Sequence, residues 1–535
     1  MRRFTALYLA LDATTKTLAK QQALEAYFRA APANDVAWAT FFLTGRKLKR
    51  LVHARVLREA ACDAASIPEW LFDASYHAAG DLAETIALLL PQAANRDDRS
   101  LSAWVVEELA PLASASPADV KGRLEAAWSR LDRDERFVHL KLITGAFRVG
   151  VAKQLVERAL AAAFDVPIAD VAQRLVGDWN PSESFTDLLR GTASTGAAIS
   201  NRPYPFLLAH SLEADPSTLG DVCDWQAEWK WDGIRAQLVI RSGSASVWSR
   251  GEALVSEAFP ELVDAAQALP DGTVLDGEIL VWLPSDPFPA SFGALQTRVN
   301  RKQPGAKLRR DAPVVLCAYD LLEREGHDLR PEPLDRRRML LERLLRANPA
   351  LRLSPTIHTD SWSALAATRE NARANRAEGL MLKRRDSAYG IGRARGAWWK
   401  WKVDPYTVDA VLVYAQAGHG RRASLFTDYT FAVWERDTLV PIAKADTGLS
   451  DEEIMRVDAW IRAHTLERFG PVRRVEPLLV FELAFEGLQI STRHKSGVAV
   501  RFPRILRRRT DKPVAEADTL TTLRALARPG GTSVE

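Results

Sequence analysis

The chain has 535 residues, 47% hydrophobic and 26% charged, a composition that supplies several cores and excludes a fibrous or largely disordered protein. Its 72 lysines and arginines stand against 68 aspartates and glutamates, so a polyanionic partner must be sought in local clustering rather than in the net charge of +4. Cys62, Cys223 and Cys317 are scattered and form no C-x-x-C pair, which excludes a zinc ribbon built from this chain alone, makes a disulfide framework implausible and fits a reducing cytoplasm.

At roughly 100 to 200 residues per domain, the length predicts about three domains. Met1-Arg2-Arg3-Phe4 has the look of a signal n-region, but Asp12 interrupts the apolar stretch behind it. Phe4, Leu7, Tyr8 and Leu11 fall instead on one helical face. Apolar runs such as residues 86–90 fall far short of the roughly 18 residues that span a bilayer, so no membrane role is expected.

Residues 1–190 are rich in Ala and Leu and read as helices with short breaks. One helix starts at Ser116-Pro117-Ala118-Asp119, an N-cap followed by proline at the first helical position and an acid in the first turn. Val120, Leu124, Trp128 and Leu131 form its buried stripe. Two segments are basic: residues 45–50 running into Arg55 and Arg58, and residues 141–153 around Arg148-Val149-Gly150. By themselves such runs read either as solvated helix faces or as a surface for a polyanion.

The small, polar stretch of residues 191–197 reads as a linker and sets the first boundary. Beyond it the period changes to two, predicting strands over 226–240, 246–248, 273–283 and 314–322, with helices over 334–347 and 363–375. This is a mixed α+β domain. After Asp404-Pro405 short strands dominate, over 408–414, 429–434 and 478–485, with one helix over 450–468; a small β-barrel accommodates them.

The most informative stretch is Glu228-Trp229-Lys230-Trp231-Asp232-Gly233-Ile234-Arg235. Strand alternation sends Glu228, Lys230 and Asp232 to one face and both tryptophans to the other. Gly233 ends the alternation with a residue free to take positive φ. A lysine among carboxylates is also what a surface salt bridge looks like. In Trp399-Lys400-Trp401-Lys402 the same alternation separates lysines from tryptophans, and core packing is the better reading for those four rings, with Trp398 on the lysine face.

The octet resembles motif I, K-x-D-G-x-R, of the covalent nucleotidyltransferase superfamily of ligases and capping enzymes. Companion motifs follow in the family's order: Ser249-Arg250-Gly251-Glu252 resembles motif Ia, Leu275-Asp276-Gly277-Glu278-Ile279 motif III and Ala318-Tyr319-Asp320-Leu321 motif IIIa. Glu378-Gly379-Leu380-Met381-Leu382-Lys383 resembles motif IV, Trp398-Trp399-Lys400-Trp401-Lys402 motif V, and the stretch from Arg501-Phe502-Pro503-Arg504 through Arg509-Thr510-Asp511-Lys512 motif VI. Residues 140–160 resemble the helical DNA-binding domain of ATP-dependent DNA ligases, and the N-terminal part looks most like their bacterial repair-associated group.

The resemblance implies three domains: a helical DNA-binding domain over 1–195, an ATP-grasp-like α+β nucleotidyltransferase (adenylyltransferase) domain over 200–404, and an OB-fold β-barrel over 405–535. It implies that Lys230 attacks the α-phosphate of ATP, its neutral form favoured by Lys400, Lys402 and a bound Mg²⁺. Glu278 would bind ribose or metal, and Glu378 would help hold Mg²⁺. Glu228 would sit beside the adenine, its backbone reading the base edge, with Tyr319 as a stacking wall or else a core tyrosine. Arg235 and Arg250 would grip ribose and phosphate oxygens. The family commonly places an arginine six residues before the first motif V lysine; here Ala394 stands there between Arg393 and Arg395, and Arg395 is the preferred candidate. Arg509, Asp511 and Lys512 would orient pyrophosphate after the barrel closes about a hinge near Asp404-Pro405. Arg148 and Lys153 would contact DNA phosphates, with Gly145 and Gly150 allowing close backbone approach.

The expected activity is therefore sealing of 3′-OH/5′-phosphate nicks in duplex DNA by a cytoplasmic monomer. An RNA ligase and a capping guanylyltransferase share the core motifs, but a capping enzyme leaves the helical region unexplained. NAD-dependent ligases are disfavoured by the scattered cysteines. A nick-binding protein with a vestigial nucleotide site is the non-enzymatic alternative; Lys230, Glu278, Lys400 and Lys402 are all present against it.

Overall fold

Side-chain capping fixes several helix starts. Ser116 accepts from the Asp119 N–H with Pro117 at the first position, as predicted, and Asp132 and Ser450 form capping boxes with Glu135 and Glu453. The computed structural model describes residues 1–48, 51–93, 97–145, 147, 149–192, 201–299, 301, 303–345, 348–393, 396–418, 425–491 and 494–526. Arg148, Ala394, Arg395 and most of the predicted linker lie outside the described residues. No described helix is long and apolar enough to cross a membrane.

The chain forms two compact units, the first made of Met1–Lys47, Arg99–Val105 and Phe147–Val403, the second of Leu48–Asp98, Val106–Ala146 and Asp404–Glu535. The helical N-terminal region thus contributes to both. In the first unit, the helix Arg2–Asp12 buries Phe4, Leu7, Tyr8 and Leu11, and Phe4 stacks on Phe147 with ring centroids 5.5 Å apart.

The rest of the first unit carries two sheets. Strands β1 (His210–Ser211), β2 (Trp225–Trp231), β9 (Thr356–Ile357), β10 (Ala377–Arg384) and β11 (Trp398–Lys402) form one, in the order β1-β11-β10-β2-β9. Strands β3 (Ile234–Arg241), β4 (Ser244–Ser249), β5 (Thr273–Val281), β6 (Val314–Arg324) and β7 (His327–Asp328) form the other, in the order β4-β3-β5-β6-β7, with β8 (Leu351–Leu353) beside β6. The predicted strand 226–240 is therefore two strands in two sheets, divided at Asp232-Gly233.

The reason for glycine at 233 differs from the one its sequence suggests. Gly233 does not take positive φ. A Cβ there would lie 2.4 Å from the Ile279 carbonyl oxygen and 2.8 Å from Glu278 Cγ, so close packing of motif I on motif III requires glycine.

In the second unit, helices Ala54–Ala65, Glu69–Ala79, Leu82–Leu89, Pro117–Trp128 and Arg133–Thr144 precede an antiparallel seven-stranded sheet. That sheet comprises β12 (Tyr406–Ala417), β13 (Phe426–Glu435), β14 (Thr438–Ala445), β15 (Thr465–Phe469), β16 (Val472–Val475), β17 (Val480–Phe485) and β20 (Arg504–Arg509); β18 (Gly487–Ile490) and β19 (Val498–Arg501) form a separate pair. The helix predicted over 450–468 ends at Ala463. Thr465 Oγ1 donates to the Ile461 carbonyl, and Thr465–Phe469 leaves the helix to pair with Val472–Val475. Val472–Val475 itself pairs with β12, and this hairpin at the sheet edge overrides a segment whose local pattern also suits a helix.

Candidate active site

Motifs I, IV and V lie on adjacent strands. Register places Glu228 opposite Met381 on β10 and Met381 opposite Lys400 on β11. The ladder is irregular between Ala377 and Leu380, and Glu378 lies in that irregular stretch. Lys230 Nζ lies 2.6 Å from Glu378 Oε2, and Lys402 Nζ reaches the same oxygen at 3.3 Å. Burial alone would raise the Glu378 carboxyl, but Lys230 and Lys402 outweigh it and hold the group below the usual carboxylate range. Lys400 is pushed down by burial and by the cations Lys402, Lys230 and Arg393, and makes no ion pair among the described residues.

The tryptophans face away from this charge. Trp229, Trp399 and Trp401 pack with Leu380 and Leu382, and Trp231 packs with Trp282, as the alternation predicts. Trp398 is fully buried against Tyr319 and Tyr389.

Motif III supplies a second acidic site. Glu278 sits opposite Arg235 in the β3/β5 pairing, and burial pushes its carboxyl up to about 7 despite the fields of Lys230 and Arg235, with Asp276 and Asp232 raising it further. It makes no ion pair among the described residues.

Arg235 is placed otherwise than its motif suggests. Nε and Nη2 donate to the two oxygens of Asp276 at 3.2 and 2.7 Å, Nη1 donates to the Leu207 carbonyl, and Nη2 also meets the Tyr389 hydroxyl. Tyr389 and Tyr319 donate to Asp276 as well, at 2.6 and 3.1 Å. Asp276, wholly buried, is the hub of this network, and sequence reasoning singled out neither it nor Tyr389 as a site residue. Asp276 stands within the motif III stretch, whereas Tyr389 carried no comparable signal.

Glu228 is equally inward. Its carboxylate accepts from Lys383 Nζ at 2.9 Å, Gln226 Nε2 at 2.5 Å and Ser354 Oγ at 2.6 Å. Lys383 Nζ lies 3.9 Å from the Tyr319 ring centroid, so one aromatic surface joins both networks. Arg250 is exposed, its backbone N–H donates to the Arg235 carbonyl, and its side chain makes no ion pair among the described residues.

The remaining candidates have protein partners. Lys153 pairs with Glu252 of motif Ia and approaches Glu157 at 3.9 Å. Of the same basic run, Lys141 is buried and pairs with Asp81. In the second unit, Arg509 and Lys512 converge on Asp409 at 2.8 and 2.7 Å, and Asp511 pairs with Arg509 at 2.9 Å.

Glu278 and Glu378 suit a hard divalent cation. Both offer oxygen donors, and the half-buried Glu278, without an ion pair among the described residues, would gain from a cation. Mg²⁺ completes its shell with waters and substrate phosphates, so it does not require a cage of three or more protein ligands; no such group occurs among the described residues.

Residues 1–161, 207–402 and 422–512 match family models described as DNA ligase N terminus, ATP dependent DNA ligase domain and ATP dependent DNA ligase C terminal region. A probable DNA ligase from Koribacter versatilis is 33% identical over 96% of this chain and 94% of its own length. A DNA ligase from Natronomonas pharaonis is 34% identical over 79% of this chain and 78% of its own. The solved structure Pmar-Lig_PreS3 shares the fold, with a TM-score of 0.63 at 14% identity over 95% of this chain and 99% of its own. A helical N-terminal region, a nucleotidyltransferase-like middle domain and a strand-rich C-terminal domain follow one another along the chain. The chain belongs to the ATP-dependent DNA ligase family.

Proposed function

We propose that this chain seals 3′-OH/5′-phosphate nicks in duplex DNA, using ATP and a covalent lysyl-AMP on Lys230, in DNA repair or replication. The observation that carries the reading is the convergence of Lys230 and Lys402 on one oxygen of Glu378, with Lys400, which makes no ion pair among the described residues, on the same strand as Lys402.

The domains we assign are 1–195 for DNA binding, 200–404 for adenylyl transfer and 405–535 for the OB-fold. Lys230 Nζ attacks the α-phosphorus of ATP, forming the P–N bond as the bond to pyrophosphate breaks. The 5′-phosphate at the nick then attacks the same phosphorus and Lys230 leaves. Finally the 3′-hydroxyl attacks the 5′-phosphorus and AMP departs. Such transfers depend on positioning and charge neutralisation. Lys400 and Lys402 place cations where the phosphates gather, and Arg250 is the freer of the two arginines assigned to ribose and phosphate oxygens. Arg235 acts from its network with Asp276 and Tyr389, beside Tyr319, which walls the adenine next to the Glu228 backbone. Glu278 and Glu378 would hold a Mg²⁺, whose charge would offset that of the phosphates. Arg509, Asp511 and Lys512 orient pyrophosphate, Arg393 or Arg395 binds a nucleotide phosphate, and Arg148 and Lys153 bind DNA.

The test is a nick-sealing assay with ATP, GTP or NAD as the sole nucleotide. Sealing with ATP alone is expected. Enzyme labelling from GTP alone, without sealing, overturns the reading in favour of a capping-type enzyme.

A further inference from the structure

Motif VI is held by a carboxylate from outside the motif. Arg509 donates to both oxygens of Asp409 at 3.1 and 2.8 Å, and Lys512 donates to one of them at 2.7 Å. Asp409 belongs to β12, 100 residues before Arg509. Its carboxylate sets the spacing of two cations assigned to pyrophosphate, so whatever fixes Asp409 bears on both.

A segment that follows motif VI fixes it. β12 and β13 pair through Val411 and Ala432, and that register, continued, would set Asp409 opposite Trp434. Asp518 stands between them instead. Its N–H donates to the Asp409 carbonyl at 2.9 Å, its carboxylate accepts from the Asp409 N–H at 2.7 Å, and its carbonyl accepts from the Trp434 N–H at 3.0 Å. Both backbone polar groups of Asp409 are thus satisfied by one residue, on the edge of β12 that β13 leaves open. The segment is anchored on either side of Asp518. Trp434 Nε1 donates to the Val514 carbonyl at 2.7 Å, and Ala517 packs with Val411 and Val480. Leu520 and Leu523, on the helix Leu520–Leu526, are buried in the core beneath the seven-stranded sheet. Arg524 pairs with Glu435 at 3.2 Å and donates to the Ser496 carbonyl at 2.9 Å. Apolar burial holds the segment down, and the hydrogen bonds of Asp518 direct it at Asp409.

We propose that residues 514–526 are a brace that positions Arg509 and Lys512 through Asp518 and Asp409, and that the brace serves the attack of Lys230 on ATP and not the final joining step. It rests on the reading in which motif VI orients pyrophosphate, and it gives a role to a segment beyond the motif. Pyrophosphate leaves only in the first step. Misplacing the cations that align it therefore slows that step and its reversal by the same factor, and leaves the attack of the 3′-hydroxyl on a 5′-adenylated nick unchanged.

The test follows the steps separately in the full-length protein. Single-turnover labelling from α-labelled ATP reads the first step, release of the label by pyrophosphate reads its reversal, and sealing of a nick that carries a synthetic 5′-adenylate reads the last. Asp518→Ala takes the acceptor from the Asp409 N–H. Labelling at saturating ATP and its reversal should both slow about tenfold, the scale of one hydrogen bond, while the adenylated nick is sealed at the wild-type rate. Asp518→Asn keeps an acceptor oxygen and should recover most of the labelling rate. Asp409→Asn keeps the side-chain shape but removes the charge that gathers Arg509 and Lys512, and should slow labelling about 100-fold. Equal slowing of labelling and of adenylated-nick sealing marks a general structural role and overturns the proposal. Wild-type labelling in both Asp518→Ala and Asp409→Asn overturns it as well. Wild-type labelling in a double Arg509→Ala, Lys512→Ala variant refutes instead the motif VI reading on which the proposal rests.

Discussion

Lys230 Nζ and Glu378 Oε2 lie 2.6 Å apart, and Lys402 Nζ reaches the same oxygen at 3.3 Å. One carboxylate thus holds the proposed nucleophile and a second lysine in register. Glu378→Gln keeps the shape but removes the charge, and should slow single-turnover AMP transfer by roughly 100-fold, the scale of losing one well-placed electrostatic partner. A rate within a fewfold of wild type contradicts this role.

Glu278 predicts a pH dependence. Its carboxyl, pushed up to about 7 by burial, titrates near ~4.3 in an unfolded chain, so the folded chain binds the proton more tightly. Its stabilising contribution is complete below the unfolded value and is lost as pH rises through about 7. The nucleotide-free protein should therefore melt at lower temperature as pH rises across that window. Adenylation, for which the proposed role of Glu278 needs its carboxylate, should rise over the same range. Glu278→Gln should remove this part of both trends, and an unchanged melting profile would count against it.

Gly233→Ala tests the packing of motif I on motif III. Because Gly233 has no positive φ, the cost comes from the Cβ meeting the Ile279 carbonyl and Glu278. Denaturant unfolding should show a loss of about 1–3 kcal/mol, the scale of overpacking. Adenylation should fall as well.

The buried Glu228–Lys383 pair predicts non-additivity. Glu228→Gln leaves the Lys383 ammonium buried without its counter-charge and should cost about 3–5 kcal/mol. Adding Lys383→Met should recover much of that loss in denaturant unfolding, whereas additive losses would refute the pairing.

Lys153 and Glu252 tie the helical region to motif Ia. Lys153→Glu alone should lower the melting temperature by a few degrees, and Lys153→Glu with Glu252→Lys should restore most of it. DNA affinity should not return with the swap, since Lys153 is also assigned to a phosphate.

The site was legible where its chemistry is linear. Lys230, Glu278, Glu378, Lys400 and Lys402 stand in short motifs, and period-two alternation correctly set lysines apart from Trp229, Trp231, Trp399 and Trp401. What stayed hidden is non-local. Asp276, Arg235 and Tyr389 meet from β5, β3 and the segment after β10, and no local spacing reveals that Arg235 turns to Asp276. Lys141 and Lys153 stand in the same basic run, yet one pairs with Asp81 and the other with Glu252, because partners distant in sequence decide which charges face solvent. Residues 465–469 became a strand because their hairpin partner, Val472–Val475, is itself held by β12, more than fifty residues earlier in the chain.

Covalent labelling tests the central claim most directly. The protein is incubated with α-labelled ATP, denatured, and digested to locate the label. The account predicts acid-labile AMP on the peptide containing Lys230, absent from Lys230→Ala and discharged from wild type by nicked DNA. Undiminished labelling of Lys230→Ala, or AMP on another residue, would contradict it.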